Sequence, residues 1–268
     1  MSRRNGNPQH RRVRLTTAVG TRLISAIPFL EEELRLLPAL VPPGGTCVDV
    51  GAAHGIYTVA MAAAVGPTGR VLSFEPQALP RRVASTLRGV LGLRDVVELR
   101  RIALGDRTTE DVMVVPYRGR LPVTGRAFVR SGAGHVPTAS PGPHDADDDG
   151  FTGSRRIPVH VRPLDDLAPA LALERLDLVK IDVEGAELQT LAGAERTLKA
   201  FRPALIIEIE ARHTARYGHA AEAVFDWLTT RSYRAVAYDG HRLRTIDEVV
   251  DGVRNYVFVD AGTAPAPT

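Results

Sequence analysis

The chain has 268 residues, of which 44% are hydrophobic and 24% are charged, a composition typical of a globular domain. A net charge of +3 with only 5% aromatic residues does not support a basic, aromatic nucleic-acid surface, so we expect no nucleic-acid partner. The single cysteine excludes an internal disulfide and no long apolar stretch is present, so we predict a cytoplasmic protein without a membrane partner.

The first 45 residues precede the predicted folded domain. Residues 1–14 are rich in arginine and are expected to form a disordered basic tail without a cleavable signal. Residues 15–45 carry leucine and isoleucine at helical spacing and end in a Pro-Pro-Gly-Gly turn, which predicts a helical cap. One domain is expected over residues 46–260, and residues 261–268 are expected to form a disordered tail.

Residues 46–75 predict a strand–turn–helix–strand unit. The apolar run Thr46–Val50 indicates a buried parallel strand, Ile56–Val65 an alanine-rich helix, and residues 71–74 a second strand. Gly51 and Gly55, in the turn between strand and helix, remove side chains where the backbone bends and a ligand could come close. This arrangement is typical of a nucleoside-binding α/β domain.

The turn Gly51-Ala52-Ala53-His54-Gly55 helps to distinguish two nucleoside cofactors. It is one glycine short of the G-x-G-x-x-G pattern that binds the pyrophosphate of a nicotinamide cofactor. Asp49, just before the turn, would repel a pyrophosphate but attract the two cationic groups of S-adenosylmethionine. Glu75, at the tip of the second strand, can accept both hydroxyls of a ribose. The stretch favours S-adenosylmethionine over NAD, although a turn with a purely structural role also fits the glycines.

Strands and helices alternate over most of the remaining chain, which predicts a doubly wound α/β sheet. Helices are predicted at residues 78–92, 184–200 and 220–231. Strands are predicted at residues 96–100, 111–115, 157–161, 176–183, 203–210, 233–238 and 255–259, the last of them a candidate antiparallel strand.

Two loop regions could contribute to a ligand site. In this architecture the loop after the third strand lies beside the adenine, so the backbone near Ala103 or the carboxylate of Asp106 could contact it, although Asp106 equally fits an ordinary turn. Residues 116–156 are dominated by Gly, Pro, Ser and Asp, which predicts an irregular insertion that is either a substrate lid or a disordered excursion. The acidic run at residues 145–149 lacks the glutamate of a calcium loop, so we assign no metal ligand there.

Six carboxylates fall at or near the ends of predicted strands: Asp49, Glu75, Asp182, Glu184, Glu208 and Glu210. Ligands of an open α/β sheet bind beyond the carboxyl ends of its strands. So many acids at one edge need compensation by a sulfonium cofactor, a metal ion or nearby Arg and Lys side chains. Glu184 and Glu187 fall in the first turn of a predicted helix, where acids complement the helix dipole, and we expect a structural role for Glu187.

Several motifs between about residues 46 and 210 resemble those of the FkbM-type methyltransferases. They are V-D-V-G-A-A-H-G-I-Y-T, F-E-P, L-D-D-L, K-I-D-V-E-G-A-E and R-P-A-L-I-I-E. The resemblance implies S-adenosylmethionine as the cofactor and O-methylation of natural products or sugars. It also implies the class I methyltransferase fold, a Rossmann-like, mostly parallel seven-stranded sheet with one antiparallel strand.

The resemblance also implies roles for individual residues. Asp49, Gly51 and Gly55 would line the methionine end of the cofactor, Glu75 would bind the ribose, and Asp182 would lie at the transfer site. The family usually has asparagine where this chain has Ala53, followed by an aliphatic residue where it has His54. A polar cofactor contact is therefore either lost at Ala53 or moved to His54.

The function predicted from these motifs is methyl transfer to a hydroxyl of a small molecule. An alcohol does not ionise unaided near neutral pH, so a general base is expected. We assign catalytic roles to Asp182, Glu208 and His213, with His54 and His135 as further candidate bases. A metal held by Asp182 with Glu208 or Glu210 is conceivable, but no metal ligand is assigned. An NAD(P)-dependent oxidoreductase and an inactive methyltransferase-like binding subunit are the alternative functions, and the acceptor and oligomeric state are left open.

Overall fold

The computed structural model describes residues 32–130, 151–238, 243–250 and 252–262. The expected N-terminal tail, residues 15–31 of the helical cap, residues 131–150 with His135, and residues 263–268 of the C-terminal tail lie outside the described residues. Within the described ranges, none of the helices has both the length and the apolar character needed to cross a membrane.

The strands are β1 (Thr46–Val50), β2 (Arg70–Phe74), β3 (Val97–Arg100), β4 (Ala103–Leu104), β5 (Thr109–Arg118), β6 (Leu121–Pro122), β7 (Phe128–Val129), β8 (Gly153–Arg162), β9 (Leu178–Ile181), β10 (Ala204–Glu208), β11 (Tyr233–Tyr238), β12 (Leu243–Ile246) and β13 (Asn255–Asp260). The α-helices are α1 (Leu37–Leu40), α2 (Ile56–Val65), α3 (Ala78–Val90), α4 (Leu164–Leu167), α5 (Glu187–Ala192), α6 (Glu195–Phe201), α7 (Ala211–Thr214) and α8 (Glu222–Thr229). Short 3₁₀ helices lie at Glu32–Leu36, Gly66–Thr68, Thr124–Arg126 and Ala215–Tyr217.

The larger sheet has eight strands in the order β12-β11-β13-β10-β9-β1-β2-β3. The five strands from β10 to β3 are parallel neighbours, and β13 runs antiparallel to both β10 and β11. This confirms the class I methyltransferase sheet, but the count of seven strands is wrong for the described chain. The short edge strand β12 pairs antiparallel with β11 and adds a second strand against the main direction.

A second sheet of five strands has the order β4-β8-β5-β6, with β7 also paired to β5. Its β5 and β8 contain the strands predicted at residues 111–115 and 157–161, whereas β6 and β7 lie in the segment expected to be irregular. Its centre is the antiparallel pair β5 and β8, in register from Thr109–Val161 to Tyr117–Gly153. The predicted irregular segment therefore needs correction, because residues 116–118 and 153–156 extend these two strands. Apolar side chains on one face, including Met113, Val115, Val159 and Val161, pack into a small core of their own.

Apolar side chains cover both faces of the large sheet. One face packs against α5, α6 and α8, and the other packs against α1 and α2. Helix α2 has the predicted bounds, Ile56–Val65, and seven of its residues are buried, which explains its small alanine side chains. This packing on both faces holds the parallel strands in place, and the candidate site lies at their carboxyl ends.

The helix predicted over residues 184–200 is wrong: the chain forms α5 and α6, with Gly193 between them. A Cβ on Gly193 would lie 1.9 Å from the Gly105 carbonyl oxygen, so two backbone segments meet at this point. The side chain of Asp165 accepts hydrogen bonds from the Arg196 and Thr197 amides at 2.9 and 2.8 Å and so satisfies the start of α6. This capping partner comes from a distant part of the sequence, which a local pattern does not show.

Candidate active site

An open cavity of about 1200 Å³, counting the space at its mouth, lies beyond the carboxyl ends of β1, β2, β9 and β10. The small sheet and the 3₁₀ helix Thr124–Arg126 form its other side. Eight residues predicted from the sequence line it: Gly51, Ala53, Glu75, Ala103, Asp106, Asp182, Glu208 and His213. Three others, Asp49, His54 and Gly55, do not line it.

The first turn is tied to two neighbouring strands. The amides of Gly51 and Ala52 both donate to the Phe74 carbonyl oxygen, at 3.0 and 3.1 Å. Gly51 has a φ of 75°, and a Cβ there would lie 1.8 Å from the carbonyl oxygen of Asp182. The turn therefore packs backbone against backbone and presents a wall without a side chain to the cavity.

Glu75 is anchored at the tip of β2 with both carboxylate oxygens already oriented. Its Oε2 accepts from the Ala53 amide at 2.9 Å and its Oε1 accepts from the Gln77 amide at 2.7 Å. Burial raises the pKa of Glu75 to about 7, although the two backbone hydrogen bonds oppose this shift. Each oxygen keeps a free lone pair, so the carboxylate can accept two further hydroxyl groups.

Asp49 departs from the position expected for a direct cofactor ligand. It is fully buried beneath the turn, and its Oδ2 accepts a hydrogen bond from the Thr58 hydroxyl at 2.5 Å. Because successive residues of a strand point to opposite faces, Asp49 lies on the face covered by α2 rather than beyond the strand end. Burial raises the pKa of Asp49, with Lys180 and the Thr58 hydrogen bond acting against the shift.

His54 and Gly55 also lie away from the cavity wall. His54 is exposed, so the polar contact that the resemblance allowed at this position is not directed into the cavity. A Cβ on Gly55, whose φ is 88°, would lie 3.0 Å from the Ala84 Cβ. Gly55 therefore serves the close packing of α2 against α3.

Asp182, Glu184 and Glu208 converge at the floor of the cavity, with carboxylate oxygens within 4.8 Å of one another. Burial and the nearby Asp182 charge raise the pKa of Glu208 to about 10, so Glu208 holds a proton at neutral pH. Burial opposes ionisation of Asp182, but Lys180 and the hydrogen bond from Glu208 hold its pKa below the ordinary value. A cluster of acids alone does not define a metal site, and here the Lys180 ammonium pairs with Asp182 while Glu208 holds a proton.

His213 lies in a polar bridge across the cavity. Its Nδ1 is 3.0 Å from Glu184 Oε2, and its Nε2 is 3.0 Å from Nη1 of Arg126 on the opposite wall. A guanidinium can only donate, so Nε2 accepts and the proton of a neutral imidazole lies on Nδ1, facing Glu184. Glu184 reaches His213 from the loop before α5, where its φ is 57°. It does not lie in the first turn of a helix as expected.

The two remaining acids of this region have structural partners. Glu187 is the first residue of α5, and its Oε1 accepts the Gly185 amide at 2.9 Å, consistent with the structural role expected of it. Glu210 lines the cavity but accepts from Arg212 Nε at 2.5 Å and lies 3.5 Å from Arg254.

Sequence reasoning missed three residues that shape the site. Lys180 lies under the floor, and as the one charged residue of an apolar strand it was a visible signal. Gln77 donates through Nε2 to the Thr124 carbonyl oxygen at 3.0 Å and ties the cavity mouth to the small sheet. No sequence pattern predicted this contact or the role of Arg126 in the site, because residues 116–156 were expected to be irregular.

The order of the large sheet, with a glycine turn after β1 and a carboxylate at the end of β2, defines a class I methyltransferase-like α/β domain. Sequence comparison agrees: the Methyltransferase FkbM domain matches residues 49–235, more than half of the chain. The chain belongs to the FkbM methyltransferase family, which confirms the resemblance seen in its motifs.

Two named relatives match part of the chain. The AMB antimetabolite synthetase AmbE of Pseudomonas aeruginosa is 28% identical over 221 residues, which cover 76% of this chain and 10% of AmbE. The methyltransferase sdnD of Sordaria araneosa is 27% identical over 168 residues, which cover 59% of this chain and 63% of sdnD. The chain thus spans less than two thirds of either relative.

Among solved structures, the methyltransferase FkbM of Methylobacillus flagellatus KT is similar, with a TM-score of 0.45 and 16% identity. The match covers 94% of this chain and 55% of that one.

Proposed function

We propose that this protein is an S-adenosylmethionine-dependent methyltransferase that methylates a hydroxyl oxygen of a small molecule. The observation that carries the proposal is Glu75, whose carboxylate is held by the Ala53 and Gln77 amides at the cavity wall, beside the bare Gly51 turn. The Glu75 carboxylate fits the ribose of the cofactor, and the Gly51 turn leaves space for the methionine part next to that ribose. The acidic floor suits a cation and disfavours the diphosphate of NAD.

The acids of the cavity floor and His213 have different roles in the proposed reaction. When bound, the cofactor supplies an electrophilic methyl group, so the protein must align the acceptor, exclude water and remove a proton. His213, whose Nδ1 lies against Glu184, takes the acceptor hydroxyl proton on Nε2 once the acceptor replaces Arg126 there. Asp182 presents a negative charge to the sulfonium, and Glu208, which holds its proton, serves as a hydrogen-bond donor and not as the base.

The cofactor assignment is tested by calorimetry. S-adenosylmethionine and its product S-adenosylhomocysteine are both expected to bind one site per chain, whereas NADH is expected to show no heat and no fluorescence enhancement. A folded sample that binds NADH and neither adenosyl compound would favour the oxidoreductase instead.

The acceptor class needs a separate measurement. Transfer of labelled methyl from S-adenosylmethionine to a panel of sugars and hydroxylated natural products is expected to label hydroxyl oxygens. The name of one relative, an antimetabolite synthetase, supports a small-molecule setting. Cofactor binding without turnover over a broad panel, together with a stable protein partner, would support a binding subunit.

Cofactor affinity is expected to depend on pH through Glu75. The ribose hydroxyls donate to the ionised carboxylate, and the pKa of Glu75 is raised to about 7 by burial. The protonated fraction therefore grows below pH 7, and binding of S-adenosylhomocysteine should weaken about tenfold from pH 8 to pH 6 and level off above pH 8. Calorimetry across pH 5.5–8.5 measures this.

Glu75→Gln is expected to weaken binding at pH 8 and to flatten the profile. Glu98→Gln removes a carboxylate on β3 that pairs with Arg70 and lies outside the cavity, so it should leave the profile unchanged. A Glu75→Gln profile as steep as that of the unaltered protein would contradict the ribose assignment.

A further inference from the structure

Lys180 is a buried ammonium beneath the candidate site. It lies on β9 and is 3% exposed, with its Nζ 2.6 Å from Asp182 Oδ2 and 4.6 Å from the centre of the Tyr57 ring. The two ends of this ion pair differ, because the Lys180 side chain is 4% exposed and that of Asp182 is 31% exposed. The pair therefore links a sealed cation to a carboxylate that faces the cavity.

A charge this deeply buried is costly unless its surroundings compensate it. Asp49 lies opposite Lys180 in the register of β1 and β9, and Glu208 faces it from the end of β10. Tyr57 covers it from α2. Burial opposes the charge, but Asp182 and Asp49 outweigh this effect and raise the pKa of Lys180. The ammonium is thus charged at neutral pH, and Asp182 is the partner that it contacts directly.

We infer that Lys180 is a positioning residue that holds the Asp182 carboxylate charged and fixed at the cavity floor, where this charge favours the cationic methyl donor over its neutral thioether product. The inference rests on the proposed function, since it assigns Asp182 to the sulfonium. Without Lys180, Asp182 would still lie beside Glu184 and Glu208 but would have no adjacent ammonium. It would therefore protonate more readily.

The ratio of affinities for S-adenosylmethionine and S-adenosylhomocysteine isolates this effect. The two compounds differ in the sulfonium charge and share the ribose, so the titration of Glu75 cancels in the ratio. Because His213 also faces Asp182, each titration is made with and without His213→Gln, which takes the imidazole out of the comparison. In the His213→Gln variant that keeps Lys180, the ratio is expected to stay within about twofold from pH 6 to pH 9.

Lys180→Met is expected to make the ratio pH-dependent. Asp182 should then be protonated at the acid end, so the preference for the methyl donor should fall about tenfold from pH 9 to pH 6. The double variant Lys180→Met/Asp49→Asn removes a cation and its facing acid together, so it should recover stability in urea while keeping the pH-dependent ratio.

Three results would overturn the inference: a pH-dependent ratio in the protein that keeps Lys180 and carries His213→Gln, a flat ratio in both Lys180 variants, or a double variant that does not fold. The last would show that Lys180 serves packing independently of these charges. Failure of both adenosyl compounds to bind the unaltered protein would instead refute the proposed function, so the two failures are distinguishable.

Discussion

Gly51→Ala is expected to destabilise the domain by at least about 4 kcal/mol and to abolish binding of S-adenosylhomocysteine. Gly51 has a φ of 75°, which costs an alanine about 1–2 kcal/mol by itself. The larger part comes from contact, because the new Cβ would lie 1.8 Å from the backbone carbonyl oxygen of Asp182. That oxygen cannot move without separating β9 from the turn, so the change acts on the fold and on the cavity wall together.

Gly218→Ala is the matched control for this substitution. Gly218 has a φ of 80° and a ψ of 18°, in the left-handed region, yet no atom beyond its chain neighbours lies within 4 Å of its virtual Cβ. It should therefore show only the backbone cost, about 1–2 kcal/mol, and bind the cofactor normally. Urea unfolding of the two variants measures the difference. Equal losses would mean that backbone conformation alone, and not the packing of the turn against Asp182, makes glycine necessary at residue 51.

Local patterns in the sequence were sufficient for the unit from β1 to β2. Its buried strands, its alanine-rich helix and its glycine turn each follow from neighbouring residues, and the bounds of α2 agree with the prediction. For the small sheet, local patterns predicted parts of β5 and β8, at residues 111–115 and 157–161, but not their pairing into a sheet. Its β5 and β8 pair residues such as Thr109 and Val161 across a polar segment, and such pairing depends on partners distant in sequence.

The candidate site shows the same division. Carboxylates at the ends of parallel strands could be expected to meet, and Glu75, Asp182 and Glu208 do line one cavity. Asp49 fails because it lies inside its strand and not beyond it, in register with Ser73 and Lys180. A position near the end of a strand indicates the edge of the sheet at which an acid lies. The alternation of side chains along the strand decides the face of the sheet to which the acid points.

The two sheets therefore supply different parts of the proposed reaction. The large sheet carries the acids and the glycine turn, whose pattern is visible in the sequence and defines the family. The 3₁₀ helix between β6 and β7 of the small sheet contributes Thr124, which accepts from Gln77, and Arg126, which contacts His213. We expect cofactor binding to depend on the large sheet and the choice of acceptor to depend on the small one.

His213→Gln is expected to lower kcat by roughly 10²–10⁴-fold with the acceptor identified in the labelling panel. Glutamine can still donate and accept hydrogen bonds near Glu184 and Arg126, but it cannot take the proton of the acceptor hydroxyl. The KM for S-adenosylmethionine should change little, because the ribose is assigned to Glu75. The residual rate should rise with pH up to about pH 10, since hydroxide then replaces the missing base.

His160→Gln is the matched control for the catalytic histidine. His160 also lies near a glutamate, with Nδ1 3.7 Å from Glu110 Oε1, but its side chain is 69% exposed on β8. Its replacement should leave kcat within about twofold. If His213→Gln lowers kcat by less than about threefold in a folded protein, the imidazole is not the base. Asp182, the ionised carboxylate on the same floor, would then be the acceptor of the proton, and Asp182→Asn should cause the loss instead.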